Sequence, residues 1–216
     1  MRKELKISSA VIRRLPKYYR YLGLIMKTGT VRVSSQELSE ITGFTASQIR
    51  QDLNHFGGFG QQGYGYNVKE LRAELKEIIG LNLKYKVCII GVGNIGKAIF
   101  NYYNTSDSSL DIVACFDADL EKSSSEVGKI TKDIGELDDF LKNNEIDIAV
   151  LATPVSVAQE IANKVVDNGV KAIWNFAPID LKLPDKIVLE DVHLDESLST
   201  LIYYLGNIKD YKGNRQ

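Results

Sequence analysis

Val87-Cys88-Ile89-Ile90-Gly91-Val92-Gly93-Asn94-Ile95-Gly96 runs a short apolar segment straight into Gly-x-Gly-x-x-Gly, and Lys97 to Tyr103 continue with helical spacing. The order predicts strand, tight turn and helix. Gly91 permits the turn, Gly93 lets backbone approach a pyrophosphate, and Gly96 allows close helix–strand packing. The first N–H groups of a helix lack intrahelical partners and the macrodipole favours negative charge there, so phosphates would sit against Gly91 to Gly96. Glycines often serve turns alone. Here, however, a second apolar run, Leu110 to Phe116, ends at Asp117. A carboxylate at that strand end accepts from a ribose 2′-hydroxyl and repels a 2′-phosphate. The stretch therefore predicts a dinucleotide site.

Downstream, the alternation of elements continues. Leu137, Phe140 and Leu141 mark a helix, Ile146 to Leu151 a buried strand, Val157 to Val166 a helix, Lys171 to Phe176 a strand and Ile187 to Leu189 the last strand. Strands separated by helices imply a parallel sheet with right-handed crossovers. Ligands of such sheets bind beyond the carboxyl ends of the strands. Thr153-Pro154 and Asn175-Phe176-Ala177-Pro178 are therefore expected on the pocket rim, near the nicotinamide half. A final helix places Leu194, Leu198, Leu201, Leu205 and Ile208 on one stripe, widened by Ile202, Tyr203 and Tyr204. So wide an apolar band must be buried, either on its own domain or in a second subunit. The second is favoured, because the helix follows a completed sheet.

Upstream, a helix is expected to begin near Leu15-Pro16, with proline in its first turn. Leu15, Tyr18, Leu22 and Ile25 follow at helical spacing, while Arg13, Arg14, Lys17 and Arg20 decorate the other faces. Val33-Ser34-Ser35-Gln36-Glu37-Leu38 then spells a capping box with a hydrophobic staple. Phe44-Thr45-Ala46-Ser47-Gln48-Ile49 repeats that grammar, and Gly43 between them suits a left-handed helix end. Two short helices about a glycine turn make a helix-turn-helix. On the second helix Ile49, Leu53 and Phe56 share one face. Ser47, Gln48, Arg50, Gln51 and Asn54 point away, types that read base edges or phosphates, and Asp52 is the lone acid.

Gly57 to Val68 interleaves five glycines with Phe59, Tyr64 and Tyr66. This fits a hairpin wing, with Gly60 and Gln61 along phosphates or a minor groove and the aromatics packed. His55 ends the helix in a capping or phosphate-facing place. Val68 to Ile79 reads as one more amphipathic helix, closed by Gly80, with the domain boundary at residues 80–84.

Composition agrees with two modules. The 216 residues are 44 % hydrophobic and 25 % charged, as in a soluble globular protein. Net charge is −1, yet residues 1–80 hold 13 Lys/Arg against 7 Asp/Glu, and the remaining 14 and 21 leave the rest at −7. A basic block on an acidic remainder suggests a polyanion-binding module joined to something else. No run approaches a membrane span, and Met1 to Lys6 lack a signal-peptide core, so a cytoplasmic location is expected. Cys88 and Cys115 fall within buried strands without metal spacing and read as core residues; no metal site is expected.

These residues together resemble the Rex family of redox-sensing transcriptional repressors across essentially the whole chain. The resemblance rests on Arg14-Leu15-Pro16-x-Tyr18-x-Arg20, Arg50-x-Asp52-Leu53, Phe56-Gly57-x-Phe59-Gly60, Gly63-x-Gly65-Tyr66, the Gly91–Gly96 loop and Asn175-Phe176-Ala177-Pro178. It implies an α/β protein: a winged helix-turn-helix DNA-binding domain (1–80), a Rossmann-like parallel-sheet NAD(H)-binding domain (84–192), and an exchanged C-terminal dimerisation helix and tail (193–216). It also implies a homodimer on an inverted-repeat operator in double-stranded DNA, bound when NAD⁺ predominates and released when NADH binds. Two departures stand out. Gln51 occupies a place where the family often has lysine. Asn94 and His193 stand where a basic and an acidic residue are thought to form an inter-subunit switch with the tyrosine matching Tyr102, which also borders the cofactor site. The competing readings are an NAD-dependent oxidoreductase with a regulatory N-terminal domain, and a regulator binding CoA or another nucleotide.

Overall fold

Ser8 opens the first helix, α1 (Ser9–Lys27), by accepting a hydrogen bond from the Val11 amide. The computed structural model describes residues 7–61, 64–105, 108–120 and 126–207. They fall into two units that meet between Asn82 and Leu83. Val11, Leu15, Tyr18 and Leu22 repeat at helical spacing and are the buried residues of α1. Pro16 therefore lies mid-helix, and the expected start near Leu15-Pro16 is corrected. The Ser8 cap and buried Val11 extend the helix upstream, and the hydrogen bond that proline forfeits lies on an exposed face, where water can take its place.

The two short helices form as their caps dictate. In α2 (Ser35–Thr42) the Ser34 hydroxyl accepts from the Glu37 amide and the Glu37 carboxylate accepts from the Ser34 amide. The Ser34 amide first, and then the Ser34 hydroxyl, stabilise the Glu37 carboxylate and hold it below its ordinary pKa. Gly43 ends the helix at φ 79°, and Thr45 caps α3 (Ala46–Asn54) by accepting from the Gln48 amide. A small antiparallel sheet follows, from β1 (Arg32–Val33), β2 (Gly60–Gln61) and β3 (Gly65–Asn67) in the order β1-β3-β2. The sequence pointed only to the β2–β3 hairpin. A two-residue strand carries no period, and Val33 reads equally well as a helix-entry residue. Gly65 has φ 67°, and a Cβ there would stand 2.7 Å from the Val33 carbonyl oxygen.

Asn67 caps α4 (Val68–Ile78), which closes this unit's core with Val68, Leu71 and Leu75 against Leu15, Leu22, Leu38, Ile49 and Leu53. Phe59 and Tyr66 pack there as expected, whereas Tyr64 is 68 % exposed and its packing role is corrected. Tyr64 sits at the hairpin turn, where its side chain has no core to reach; Gln62 and Gly63 beside it lie outside the described residues.

The second unit is a six-stranded parallel sheet. Its elements are β4 (Tyr85–Ile90), α5 (Asn94–Tyr103), β5 (Leu110–Asp117), β6 (Thr131–Asp133), α6 (Leu137–Asn143), β7 (Ile148–Leu151), α7 (Val155–Asp167), β8 (Ala172–Asn175), β9 (Val188–Asp191) and α8 (Leu194–Gly206). The strand order is β6-β5-β4-β7-β8-β9, all pairs parallel. Order thus reverses between β4 and β7, the switch point at which open sheets of this doubly wound type bind ligands. The edge strand β6 escaped the sequence reading, since Thr-Lys-Asp offers no apolar run.

Successive residues of β4 bury on opposite faces, Cys88 and Ile90 with α6 and α7, Val87 and Ile89 with Ile99 and Phe100 of α5. Cys88 and Cys115 are both fully buried, and desolvation pushes their thiols up to about 12, so they serve as core residues. In contrast, α8 has no buried residue: Leu198, Leu201 and Leu205 are 53 %, 63 % and 68 % exposed. Ile208, placed on the same stripe by its spacing, and the tail beyond it lie outside the described residues. Among the described residues, no helix is long and apolar enough to cross a membrane.

Candidate functional site

The glycine loop is built by steric exclusion. Gly91 turns the chain at φ 94°, and a Cβ there would meet the Ala152 carbonyl oxygen at 2.3 Å. A Cβ on Gly96 would meet the Gly91 carbonyl oxygen at 1.9 Å. Both glycines are dictated by close approach of backbone to backbone. Gly93 differs, because the space its Cβ would occupy is open. It is the N-cap of α5 and no side chain caps that helix, so its leading amides, from exposed Asn94 onward, are left for an external acceptor.

Asp117 has two tasks. One carboxylate oxygen accepts from the Val92 amide at 2.6 Å and the other from the Asp119 amide at 2.9 Å, which ties the glycine loop to the end of β5. Each oxygen keeps a further lone pair for a ribose hydroxyl. Val92 itself is buried and offers only that backbone contact.

Two cavities flank the loop. The first, about 510 Å³, is lined by Gly91, Asp117, Thr153 and Pro154, with Ile134, Leu137, Val157 and Ile161 as apolar walls. The Thr153 hydroxyl is buried there without a hydrogen-bond partner, a polar group waiting for a ligand atom. The second, about 440 Å³, is lined by Ile95, Phe176, Pro178, Val192, His193 and Leu194. Gly91 touches one cavity and Ile95 the other, so the loop sits where a pyrophosphate would join two nucleoside halves. The residues fit a dinucleotide.

Three expected site residues line neither cavity. Asn175 is fully buried, and its amide donates to the carbonyls of Ala177 and Ile179 and to Asp191, while its oxygen accepts from the Ala177 amide. With its side-chain nitrogen and oxygen both engaged, Asn175 shapes the loop that presents Phe176 and Pro178. Ala177 is likewise buried in that loop. Tyr102 lines neither cavity; it is 75 % exposed on α5. It begins a series of ring contacts: Tyr102–Tyr103 at 4.8 Å, Tyr103–Trp174 at 5.8 Å and Trp174–Phe176 at 4.8 Å.

In the first unit, α3 turns Ile49, Asp52 and Leu53 inward and exposes Ser47, Arg50, Gln51 and Asn54, with Gln48 half-buried. Arg50 donates to the Ser35 hydroxyl at 2.7 Å, which steadies an exposed guanidinium across the two helices. Lys17 stands 4.6 Å from the Phe44 ring centre, at the entry to α3. Arg13 is exposed on α1. Gly60 and Gln61 form β2 of the wing.

Arg14 is corrected: it does not face outward. Its guanidinium makes two 2.7 Å bonds to Asp52, whose carboxylate also accepts from the Tyr18 hydroxyl at 2.7 Å. Sequence reasoning saw Asp52 only as the lone acid of α3 and missed the pairing, because 38 residues separate the partners. It also missed Arg32, which donates to the Tyr64 carbonyl at 3.3 Å and lies against that ring at 6.0 Å.

Comparison with known proteins decides the family. A redox-sensing transcriptional repressor Rex from Clostridioides difficile is 52 % identical over 92 % of this chain and 95 % of its own length. The chain belongs to the Rex family. A Rex repressor from Clostridium novyi is 52 % identical over 95 % of the chain and 99 % of its own length. The crystal structure of RSP with β-NAD⁺ and operator DNA matches with a TM-score of 0.87 at 49 % identity, covering 95 % of both chains. RSP with β-NADH matches at 0.85, with 46 % identity over 95 % of this chain and 97 % of that one. Residues 6–54 fit the family described as "Putative DNA-binding protein N-terminus", and residues 82–179 that described as "CoA binding domain". Rex membership accounts for a helix-turn-helix and a doubly wound sheet in one chain. Among the described residues, no group of His, Cys, Asp and Glu could hold a metal ion.

Proposed function

We propose that this chain is a transcriptional repressor that senses the NADH/NAD⁺ ratio. It binds an inverted-repeat operator as a homodimer when NAD⁺ predominates and releases it when NADH binds. One observation carries the cofactor half of this reading: a glycine loop dictated by close backbone approach, flanked by two cavities, with Asp117 lining the first and Phe176 the second. The family's solved structures with NAD⁺, NADH and operator DNA support it.

The DNA half rests on α3. Ser47, Gln48, Arg50, Gln51 and Asn54 would enter a major groove, with Arg13 and Lys17 on phosphates and the Gly60-Gln61 strand of the wing alongside. Dimerisation rests on α8, whose exposed leucines require a cover; a second copy exchanging the same helix supplies it and gives the two-fold symmetry that inverted half-sites demand. Tyr102, His193 and Leu194 would then lie at that contact. The curated relatives are named as repressors, which supports a regulator over an oxidoreductase. A protein that reads operators works where the DNA is, in the cytoplasm.

The CoA-binding reading draws on the match over residues 82–179. Asp117 favours the dinucleotide, since its carboxylate suits an unphosphorylated ribose. The deciding experiment measures operator affinity at saturating NADH and at saturating NAD⁺. A loss of affinity with NADH alone is expected, by a coupling of roughly 1–3 kcal/mol, and operator must weaken NADH by the same factor. Equal affinities in the two cofactors would leave a DNA-binding protein that does not sense redox state.

A further inference from the structure

His193 caps the start of α8 beside the second cavity, at a position where the resemblance leads one to expect an acid. Its Nδ1 lies 3.2 Å from the Glu196 carboxylate, and its Nε2 is buried without a partner. The same cavity is lined by Asp180, Asp195 and Glu196, together with Phe176, Ile95 and Leu194. Asp191, at the end of β9, adds its charge to the ring's surroundings. A titratable imidazole thus sits among carboxylates at the cavity where a nicotinamide ring would enter.

We infer that His193 biases this pocket against the oxidised ring when it is protonated, so that the protein reads proton concentration together with redox state. The inference rests on the proposed placement of the nicotinamide half in this cavity. The two redox forms of the cofactor differ by one charge at the ring: oxidised nicotinamide is cationic and reduced nicotinamide is neutral. With His193 neutral, Glu196 holds the proton on Nδ1 and the surrounding carboxylates attract a cationic ring. With His193 protonated, one of those negative charges is cancelled and a cation stands beside the ring. The neutral ring is indifferent to this change.

The hydrogen bond to Glu196, helped by the charges of Glu196, Asp191 and Asp180, raises the pKa of His193 above the ordinary histidine value, against a smaller opposing effect of desolvation. Protonated His193 therefore persists toward neutral pH and is lost as pH rises further. NAD⁺ should bind more weakly on the acid side of that transition and NADH should not, so acidification sharpens the preference for NADH. Linkage adds a second signature: NAD⁺ binding should release a fraction of a proton and NADH binding should release none.

The chain has two histidines, and the other, His55, belongs to the DNA-binding unit. The test is calorimetry of NAD⁺ and of NADH on the full chain, between about pH 6 and about pH 8, each in two buffers of different ionisation heat. The ratio of NAD⁺ to NADH affinity is expected to rise roughly three- to tenfold with pH, the effect of one charge a few ångströms away in a partly solvated site. In His193→Gln the ratio should be flat. In Glu196→Gln the transition should persist but move to lower pH, which separates titration of the imidazole from general damage at the helix start. A pH-independent ratio in the parent protein, or the same dependence in His193→Gln, overturns the inference and leaves the cofactor reading standing. If neither dinucleotide binds, or if Phe176→Ala leaves both affinities unchanged, the placement of the nicotinamide half fails and the inference falls with it.

Discussion

Arg14 and Asp52 clamp α1 to α3 through two parallel bonds of 2.7 Å, with the Asp52 side chain only 3 % exposed. The fork geometry suits guanidinium and carboxylate, and the Tyr18 hydroxyl occupies a further lone pair of the acid. Burial and the Asp52 hydrogen bond push the Tyr18 phenol above its ordinary pKa, so it remains a donor at any physiological pH. The exposed face of α3, proposed above to read DNA, is thus set from behind by a charge pair.

Asp52→Ala should strand the mostly buried Arg14 and cost on the order of 3 kcal/mol, as when one partner of a buried pair is removed. Denaturant unfolding checks this. Arg14→Lys should recover only part of the loss, because an ammonium cannot reproduce the fork. Parent-like stability in Asp52→Ala would show the pair to be dispensable.

Arg50→Ala should weaken operator binding by about 1–3 kcal/mol and relax specificity at one base position, if the guanidinium makes a bidentate guanine contact. Lys17→Ala should instead weaken all sequences alike and lower the salt slope by about one. Fluorescence anisotropy against the operator and single-base variants, at several salt concentrations, separates the two behaviours.

NADH should bind far better than NADPH, since a 2′-phosphate would meet the Asp117 carboxylate. Asp117→Ala should weaken NADH and narrow the difference. The same substitution leaves the Val92 amide without its acceptor, so some of the loss is loop order and not ribose contact. Equal affinities of the parent protein for the two cofactors in calorimetry would refute the assignment.

Leu198→Glu together with Leu201→Glu places charges on the exposed apolar face of α8. Both leucines already face water in the single chain, so the sheet should keep its stability. The homodimer proposed above should dissociate and operator affinity should fall, because inverted half-sites require two linked readers. Sedimentation velocity gives the assembly state; an unaltered tight-binding dimer would place the interface elsewhere.

Local chemistry was legible in the chain. The Ser34–Glu37 capping box, the Thr45 cap, the left-handed Gly43 and the Gly-x-Gly-x-x-Gly spacing are each written within a few positions of one another. The sequence alone therefore determined the helix-turn-helix, the alternation of strands and helices, and the glycine loop with its acid at Asp117. Tertiary structure decided what depends on distant partners. Arg14 read as a surface cation because nothing near it announces Asp52. Asn175 read as a pocket residue because a polar side chain at a strand end looks the same whether it meets a ligand or the carbonyls of Ala177 and Ile179. Strands β1 and β6 are too short for a period and exist only through the strands they pair with. Periodicity and capping are short-range, whereas salt bridges, edge strands and cavities are set by how the chain returns on itself.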